Sequence, residues 1–402
     1  MTEGHLLVMG SGDRALREYA LSAMSRRAPL ALLGYRRPTW EKPYVRTHAC
    51  VDLQDPAHVA AAAVELDPIG IVTYDERLVE ATAAVAAMLG LRGPGAEAIR
   101  RCKDKSELRG RLAAAGLSPV GFGVAGDVEE ALAHARRIGW PVVLKPRALS
   151  GSIGVVRVDD ERALRERFAG AADARAGMLR SAHPGVLVEE YLDGPEFSVD
   201  AVTQDGRTVP VVTAEKLLGC APHFEELGHV VGAGTASGLD EAFELVARAH
   251  RVAGLDDVVT HTEFRLTAAG PRIIELNTRL GGDLIPYLGA IALDADLPGC
   301  VADVAMGRPA DTTVRGRGAA AVVMLYPDVD QEVESVELQM DPVPDWLDRF
   351  EALARRGEVL RLPPRGFLSR LAVAVVRGAD RDECLARVDE VRKHCVVRGT
   401  PA

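Results

Sequence analysis

"PRIIELNTRLGGDLIPYL", residues 271–288, decides how the chain is read. Its first half has the apolar content of a strand that pairs and is buried, yet Glu275, Asn277 and Arg279 recur at every second position. Strand side chains alternate between faces, so these three share one face while Ile274 and Leu276 take the other. Gly281, Gly282 and Asp283 follow at once. Upstream, "THTEFRLTAAG" reads as the partner strand, turning around 268–270. Glu263 and Glu275 lie six residues either side of position 269, which sets them near-opposite across an antiparallel pair. Opposed carboxylates repel unless a cation sits between them. With the amide oxygen of Asn277 they make a hard donor set suited to Mg²⁺. The competing arrangement is a solvated polar face, in which a register slip offsets the two glutamates and Arg265 neutralises them.

Further upstream, Lys145 closes the apolar strand "PVVLKP" and is followed by "RALSGSIG". Ser150, Gly151, Ser152 and Gly154 would let backbone amides and hydroxyls approach phosphate oxygens, and the lysine supplies a point charge. The lysine precedes the glycines, so this is not a P-loop, and a plain surface loop is the competing reading. "LVEEYLDGPEFSVD" then offers what a nucleotide pocket needs, a backbone edge for adenine and a carboxylate for ribose hydroxyls. In "PHFEELGH", His223 and His229 are six apart, outside zinc-type spacing. "HTE" has the H-x-E of zinc deaminases without their P-C-x-x-C. Glu76, ending "IVTYDE", either reaches a substrate cleft or charges a helix N-terminus. Cys220 has no oriented base in the sequence and is not read as a nucleophile.

The 402 residues exceed one ordinary core, and 48% hydrophobic content supports several. A net charge of −10 gives no electrostatic footprint for nucleic acid. Six scattered cysteines without CxxC read as free thiols in a reducing compartment. No long apolar span or leader is evident, so neither a membrane nor export is expected, and the reading is cytoplasmic. Alternating strands and helices predict a parallel α/β domain over 1–100. The "GSG" after its first strand lacks the full dinucleotide fingerprint and reads as a tight turn. A β-α-β lid follows over 101–195, then a core with a meander turning at Asp205 and Gly206 over 196–312, and an α+β tail over 313–402.

In this order, "KDKSELRGRLAAAGLSP", "PVVLKPRALSGSIGV", "VLVEEYLDGPEFSVD", "TEF" and "IIELNTRLGG" resemble the ATP-grasp superfamily of carboxylate–amine ligases, from about residue 1 to 310. "FEELGH" with "ELNTRLGGDLIPYL" is most similar to bacterial L-amino-acid ligases, which make dipeptides. The resemblance implies an ATP-grasp fold of mixed α/β and α+β domains with a central antiparallel sheet. It implies ATP with Mg²⁺, or Mn²⁺, as cofactor, small carboxylate and amine substrates, an acyl-phosphate intermediate, and a place in natural-product biosynthesis. Lys105 and Lys145 then match the phosphate-contacting lysines, under the loop of Ser150, Gly151 and Ser152. Glu189, Glu190, Tyr191 and Leu192 match the adenine edge, and Glu196 the ribose acid. Glu263, Glu275 and Asn277 match the metal ligands, and Arg279 the arginine at the acyl-phosphate. Glu226, His229, Gly281 and Gly282 match the substrate side, the glycines offering backbone amides to a carboxylate. Contacts by Lys216 and Glu76 stay open, as does a homodimer. Two other classes compete: a carboxylase or other phosphoryl-transferring enzyme on the same nucleotide site, and a non-catalytic nucleotide-binding protein.

Overall fold

The structure, a computed structural model, describes residues 4–176, 179–180, 183–232 and 237–402. Its first sheet has four parallel strands in the order Val45–Cys50, Leu30–Gly34, His5–Met9, Pro68–Val72. After His5 the strand His5–Met9 is apolar because both faces are covered. Leu6 and Val8 join a core with Leu21 and Met24, while Leu7 and Met9 face Val59 and Val85 on the other side. Gly10 and Gly12 have φ of +73° and +69°, values glycine adopts without a Cβ clash. They turn the chain into helix Arg14–Ser25, capped by the Asp13 carboxylate, which accepts from the Ala15 amide at 2.9 Å.

The second sheet is antiparallel, in the order Phe122–Ala125, Val186–Glu190, Val142–Pro146, Val156–Val158. Helices Val128–Ile138 and Glu161–Ala172 cover it, placing Leu132, Ala135 and Leu164 against Leu144 and Val188. Helices Ala96–Lys103 and Lys105–Ala114 precede this unit and face elsewhere. Their Cys102, Leu108 and Leu112 share a cluster with Leu245, Ala249, Ile273 and Leu276 of the core.

An eight-stranded antiparallel sheet forms the centre. Its order is Gly270–Asn277, Val258–Thr267, Glu196–Gln204, Arg207–Gly219, Glu225–Gly232, Ala319–Leu325, Ala372–Gly378, Leu347–Ala352. The meander reverses at Asp205 and Gly206, the turn the sequence marks. The tail is continuous with the centre, since its strands extend the same sheet beneath helix Arg381–His394. Among the described residues no helix is long and apolar enough to cross a membrane.

The opening hairpin holds one departure from regular alternation. Thr267 pairs with Gly270 and Phe264 with Ile273, but Glu263 pairs with Glu275. Ile274 is therefore the extra residue of a β-bulge, a device that re-aims neighbouring side chains. The two-residue turn alone would set Glu263 opposite Ile274; the bulge makes the acids partners. It also corrects the face assignment. Ile274 joins Glu275 on the cleft side, while Ile273 and Leu276 are buried on the other.

Candidate active site

A cleft of about 750 Å³ separates the lid sheet from the central sheet. Lys145, Gly151, Ser152, Tyr191 and Leu192 line it from the lid; Lys105, Glu196, Glu226, Glu263, Ile274 and Glu275 line the opposite wall. Lys145 sits at a strand end, with its Nζ 2.5 Å from Glu189. Arg109 Nε meets the same carboxylate at 2.9 Å. Burial opposes ionisation of Glu189, but Arg109 and Lys145 outweigh it and hold the carboxyl down to about 2. Burial and the neighbouring Arg109 lower the Lys145 ammonium, against the pull of Glu189.

On the central sheet, Lys105 Nζ lies 2.9 Å from Glu275 and donates to the Leu149 carbonyl at 2.7 Å. The Asn277 amide nitrogen donates to the other Glu275 oxygen at 2.7 Å. Lys216 is surrounded by acids: Glu263 at 2.7 Å, Glu196 at 3.0 Å and Glu226 at 3.2 Å. Burial works against the charge of Glu263, yet Lys216 and His261 keep its carboxyl well below the usual range. Arg265, the residue a solvated face would use to neutralise Glu263 and Glu275, instead bonds Glu196 at 2.9 Å and the Leu192 carbonyl at 2.5 Å. Its guanidinium lies 5.2 Å from the Tyr191 ring centre, and Arg157 lies 4.3 Å from it. Phe224 stacks on the same tyrosine. A flat apolar wall and an acid with two cations thus stand beside the 189–192 strand end.

Beyond the acids the chain enters the 279–283 turn. Arg279 Nε donates to Glu76 of the first domain at 2.8 Å, and its Nη1 to the Leu280 carbonyl at 2.7 Å. Glu76 is thus bound to the candidate catalytic arginine and does not cap a helix. His229 Nε2 stands 3.1 Å from Glu226 and 3.6 Å from Asp283. Ligand atoms of these three lie within 4.8 Å of one another, as in a metal cluster. Lys216 and Arg370 already balance the two carboxylates, Arg370 gripping Asp283 at 2.7 and 2.5 Å.

Not every candidate lines the cleft or is free to bind a ligand. The Gly281 amide is not free for a substrate, because it donates to Asp200 at 3.2 Å. Ser150 stands off the cleft wall, and the loop reaches it through Gly151 and Ser152. Asn277, His229, Arg279 and Gly282 also lie outside that wall, grouped around the turn beyond Glu275 and Glu226. Residues missed from sequence include Arg109, Arg370, Asp200 and His261. His261 alternates with Glu263 on one strand, a signal that was present; Asp200 accepts from it at 2.6 Å. Burial disfavours the imidazolium, but Asp200 and Glu263 raise it to about 9. Burial and the nearby Glu225 push the Cys220 thiol up, against the thiolate a nucleophile needs.

Residues 138–286 match the model of the ATP-grasp domain, and the chain has the ATP-grasp fold. Within that class it resembles carboxylate–amine ligases of the L-amino-acid ligase kind. The L-amino acid ligase of Bacillus licheniformis superposes with a TM-score of 0.84 at 20% identity, over 100% of both chains. Alanine–anticapsin ligase of Bacillus subtilis is 27% identical over 265 residues, 60% of this chain and 55% of the relative. The uncharacterised protein y4rH of Sinorhizobium fredii is 32% identical over 291 residues, 71% of this chain and 57% of its own length. The chain thus spans little more than half the length of these curated relatives.

Proposed function

We propose that the protein is an ATP-dependent ligase that joins the carboxylate of an amino acid or small acid to an amine, giving an amide or dipeptide, ADP and phosphate. The observation that carries this reading is the bulged hairpin. It makes Glu263 and Glu275 cross-strand partners, with Lys105 bonded to Glu275 on one side and Arg279 following on the other. The donor set fits a hard divalent cation, with oxygen atoms on adjacent strands, no thiol, and Glu263 kept ionised. Mg²⁺, or Mn²⁺, would be held by Glu263, Glu275 and Asn277 and would neutralise charge on the transferring phosphoryl group.

The chain's own groups supply the rest of the reaction. Lys105 and Lys145 exchange their glutamate partners for phosphate oxygens when ATP enters, a swap between anions that leaves no ammonium bare. The Tyr191 wall and Glu196 receive the base and ribose. A carboxylate placed beside Arg279 attacks the γ-phosphate, and the guanidinium stabilises the acyl-phosphate and then the tetrahedral adduct with the neutral amine. The acyl-phosphate hydrolyses in water, so the glycine loop has to cover it. Gly151 already stands against Leu368, whose side chain would lie 3.1 Å from a Cβ built there.

The test is a screen of ADP and phosphate release over pairs of amino acids and amines, with mass spectrometry of the product. ADP formation that needs both partners, with the coupled mass, supports the ligase reading. ADP released with one acid and no amine, or with bicarbonate, overturns it.

A further inference from the structure

The two lysines assigned to the phosphates belong to different bodies. Lys145 lies in the lid sheet, on strand Val142–Pro146. Lys105 opens helix Lys105–Ala114, whose Leu108 and Leu112 pack on the core. A rotation of the lid on the core would change their spacing, unless the first turn of that helix is tied to the lid.

Arg147 makes such a tie. It stands two residues beyond Lys145 and meets the consecutive residues 104, 105 and 106. Its carbonyl accepts from the Lys105 amide at 2.9 Å. Its Nη2 donates to Asp104, and its Nε donates to Asp104 at 3.3 Å and to the Ser106 hydroxyl at 3.1 Å. Nη1 reaches the Pro184 carbonyl at 3.0 Å, just before lid strand Val186–Glu190. Asp104 is 4% exposed and caps the helix, accepting from the Ser106 amide at 3.0 Å and the Ser106 hydroxyl at 2.7 Å. His183 Nδ1 stands 3.6 Å from its other oxygen. A cap does not need a guanidinium: Asp13, Asp55 and Asp127 cap their helices with no ion pair among the described residues. The Lys105 ammonium is held by the same loop, since it donates to the Leu149 carbonyl at 2.7 Å.

We propose that Arg147 is a positioning residue: it locks the first turn of the helix to the lid, so that Lys105 and Lys145 meet one triphosphate at a fixed spacing. This rests on the nucleotide reading of the cleft and adds to it a residue outside the cleft wall. A guanidinium fork on a carboxylate fixes orientation as well as distance, which a single ammonium does not. Lys105 then moves with the root of the glycine loop, although the rest of its helix stays on the core.

The test measures the affinity of the full chain for a non-hydrolysable ATP analogue with Mg²⁺ by titration calorimetry. The folded fraction then appears as stoichiometry and not as affinity. Lys105→Ala should weaken binding roughly 10- to 100-fold, the range of one charge-assisted hydrogen bond. Arg147→Ala should weaken it roughly 10-fold, and Arg147→Lys should recover part of that. In the Lys105→Ala background, Arg147→Ala should cost less than about two-fold more, because a residue acting through Lys105 has nothing left to position. A merely structural role would make the two losses add. Asp104→Asn keeps the cap and removes the ion pair, and should cost roughly three-fold. If Arg147→Ala is not recovered folded, the same cycle run with Asp104→Asn decides. Losses that add, or no loss in the Arg147 and Asp104 variants, would overturn the clamp alone. Unchanged affinity in Lys105→Ala would overturn the nucleotide reading of that lysine, and the clamp with it.

Discussion

The candidate nucleotide cleft and the 279–283 turn are neighbours built in different ways. In the cleft the cations and acids come from the lid strands, the strands of the central sheet and helix Lys105–Ala114, and they are matched: Lys145 and Arg109 with Glu189, Lys105 with Glu275, Lys216 with three acids. Around the turn the partners arrive from far apart in sequence. Glu76 bonds Arg279 across 203 positions and Arg370 bonds Asp283 across 87. Arg17 makes no ion pair among the described residues; its Nη1 reaches the Gly281 carbonyl at 3.4 Å. The difference teaches that the two sites do different work. A matched set of charges can pass from protein partners to phosphate and metal without a desolvated ion in between.

The largest expected effect breaks the boundary between the two regions. Arg279→Ala and Glu275→Ala should each lower ATP turnover by roughly 1000-fold or more, beyond what one electrostatic donor supplies elsewhere, because each also unpairs a buried partner. Thermal melts should show both variants folded. ADP release near the wild-type rate from either variant would remove these residues from the chemistry.

This contrast also explains what the sequence shows and what it hides. Glu263, Glu275, Lys145 and Glu189 are legible because strand periodicity and a local turn place them, and those rules act over a few residues. The correct pairing of Glu263 with Glu275 was reached from a turn centred on 269, although the actual turn is centred half a residue earlier and Ile274 supplies the correction. A bulge has no period and is invisible to alternation. Arg370, Glu76 and Arg17 were illegible as a group because only the docking of three domains brings them to one turn. The glycines were read as open amides for the same reason: Asp200 lies two strands away from Gly281 in the central sheet.

A smaller effect separates stability from turnover inside the matched region. Glu189 is held near 2 from an ordinary 4.5 by Arg109 and Lys145, overcoming burial. Its folded value is depressed, so the stability it lends is complete above about 4.5 and is lost as pH falls toward 2. Glu189→Gln leaves two buried cations without their anion and should destabilise the fold by about 3 kcal/mol at neutral pH. Denaturant melts from pH 7 down to 2 should show the gap between variant and wild type closing over the acid end of that window. A gap that stays constant with pH would mean that the Glu189 charge is not what stabilises the strand.

The smallest effect tests the bulge itself. Ile274 and Leu276 are two positions apart, and a regular strand would put them on one face; the bulge puts Ile274 on the cleft and Leu276 in the core. Ile274→Ala removes apolar surface from the nucleotide wall, about 1 kcal/mol of contact, so KM for ATP should rise roughly five-fold with kcat and melting temperature almost unchanged. Leu276, 1% exposed, is the control: truncation to Ala should cost about 2–5 kcal/mol of stability. If the hairpin were regular, Ile274 and Leu276 would both answer as core residues, and Ile274→Ala would lower the melting temperature while leaving ATP affinity intact. A folded, five-fold weaker ATP binder therefore reports the bulge, and with it the reason two glutamates stand opposite one another on this hairpin.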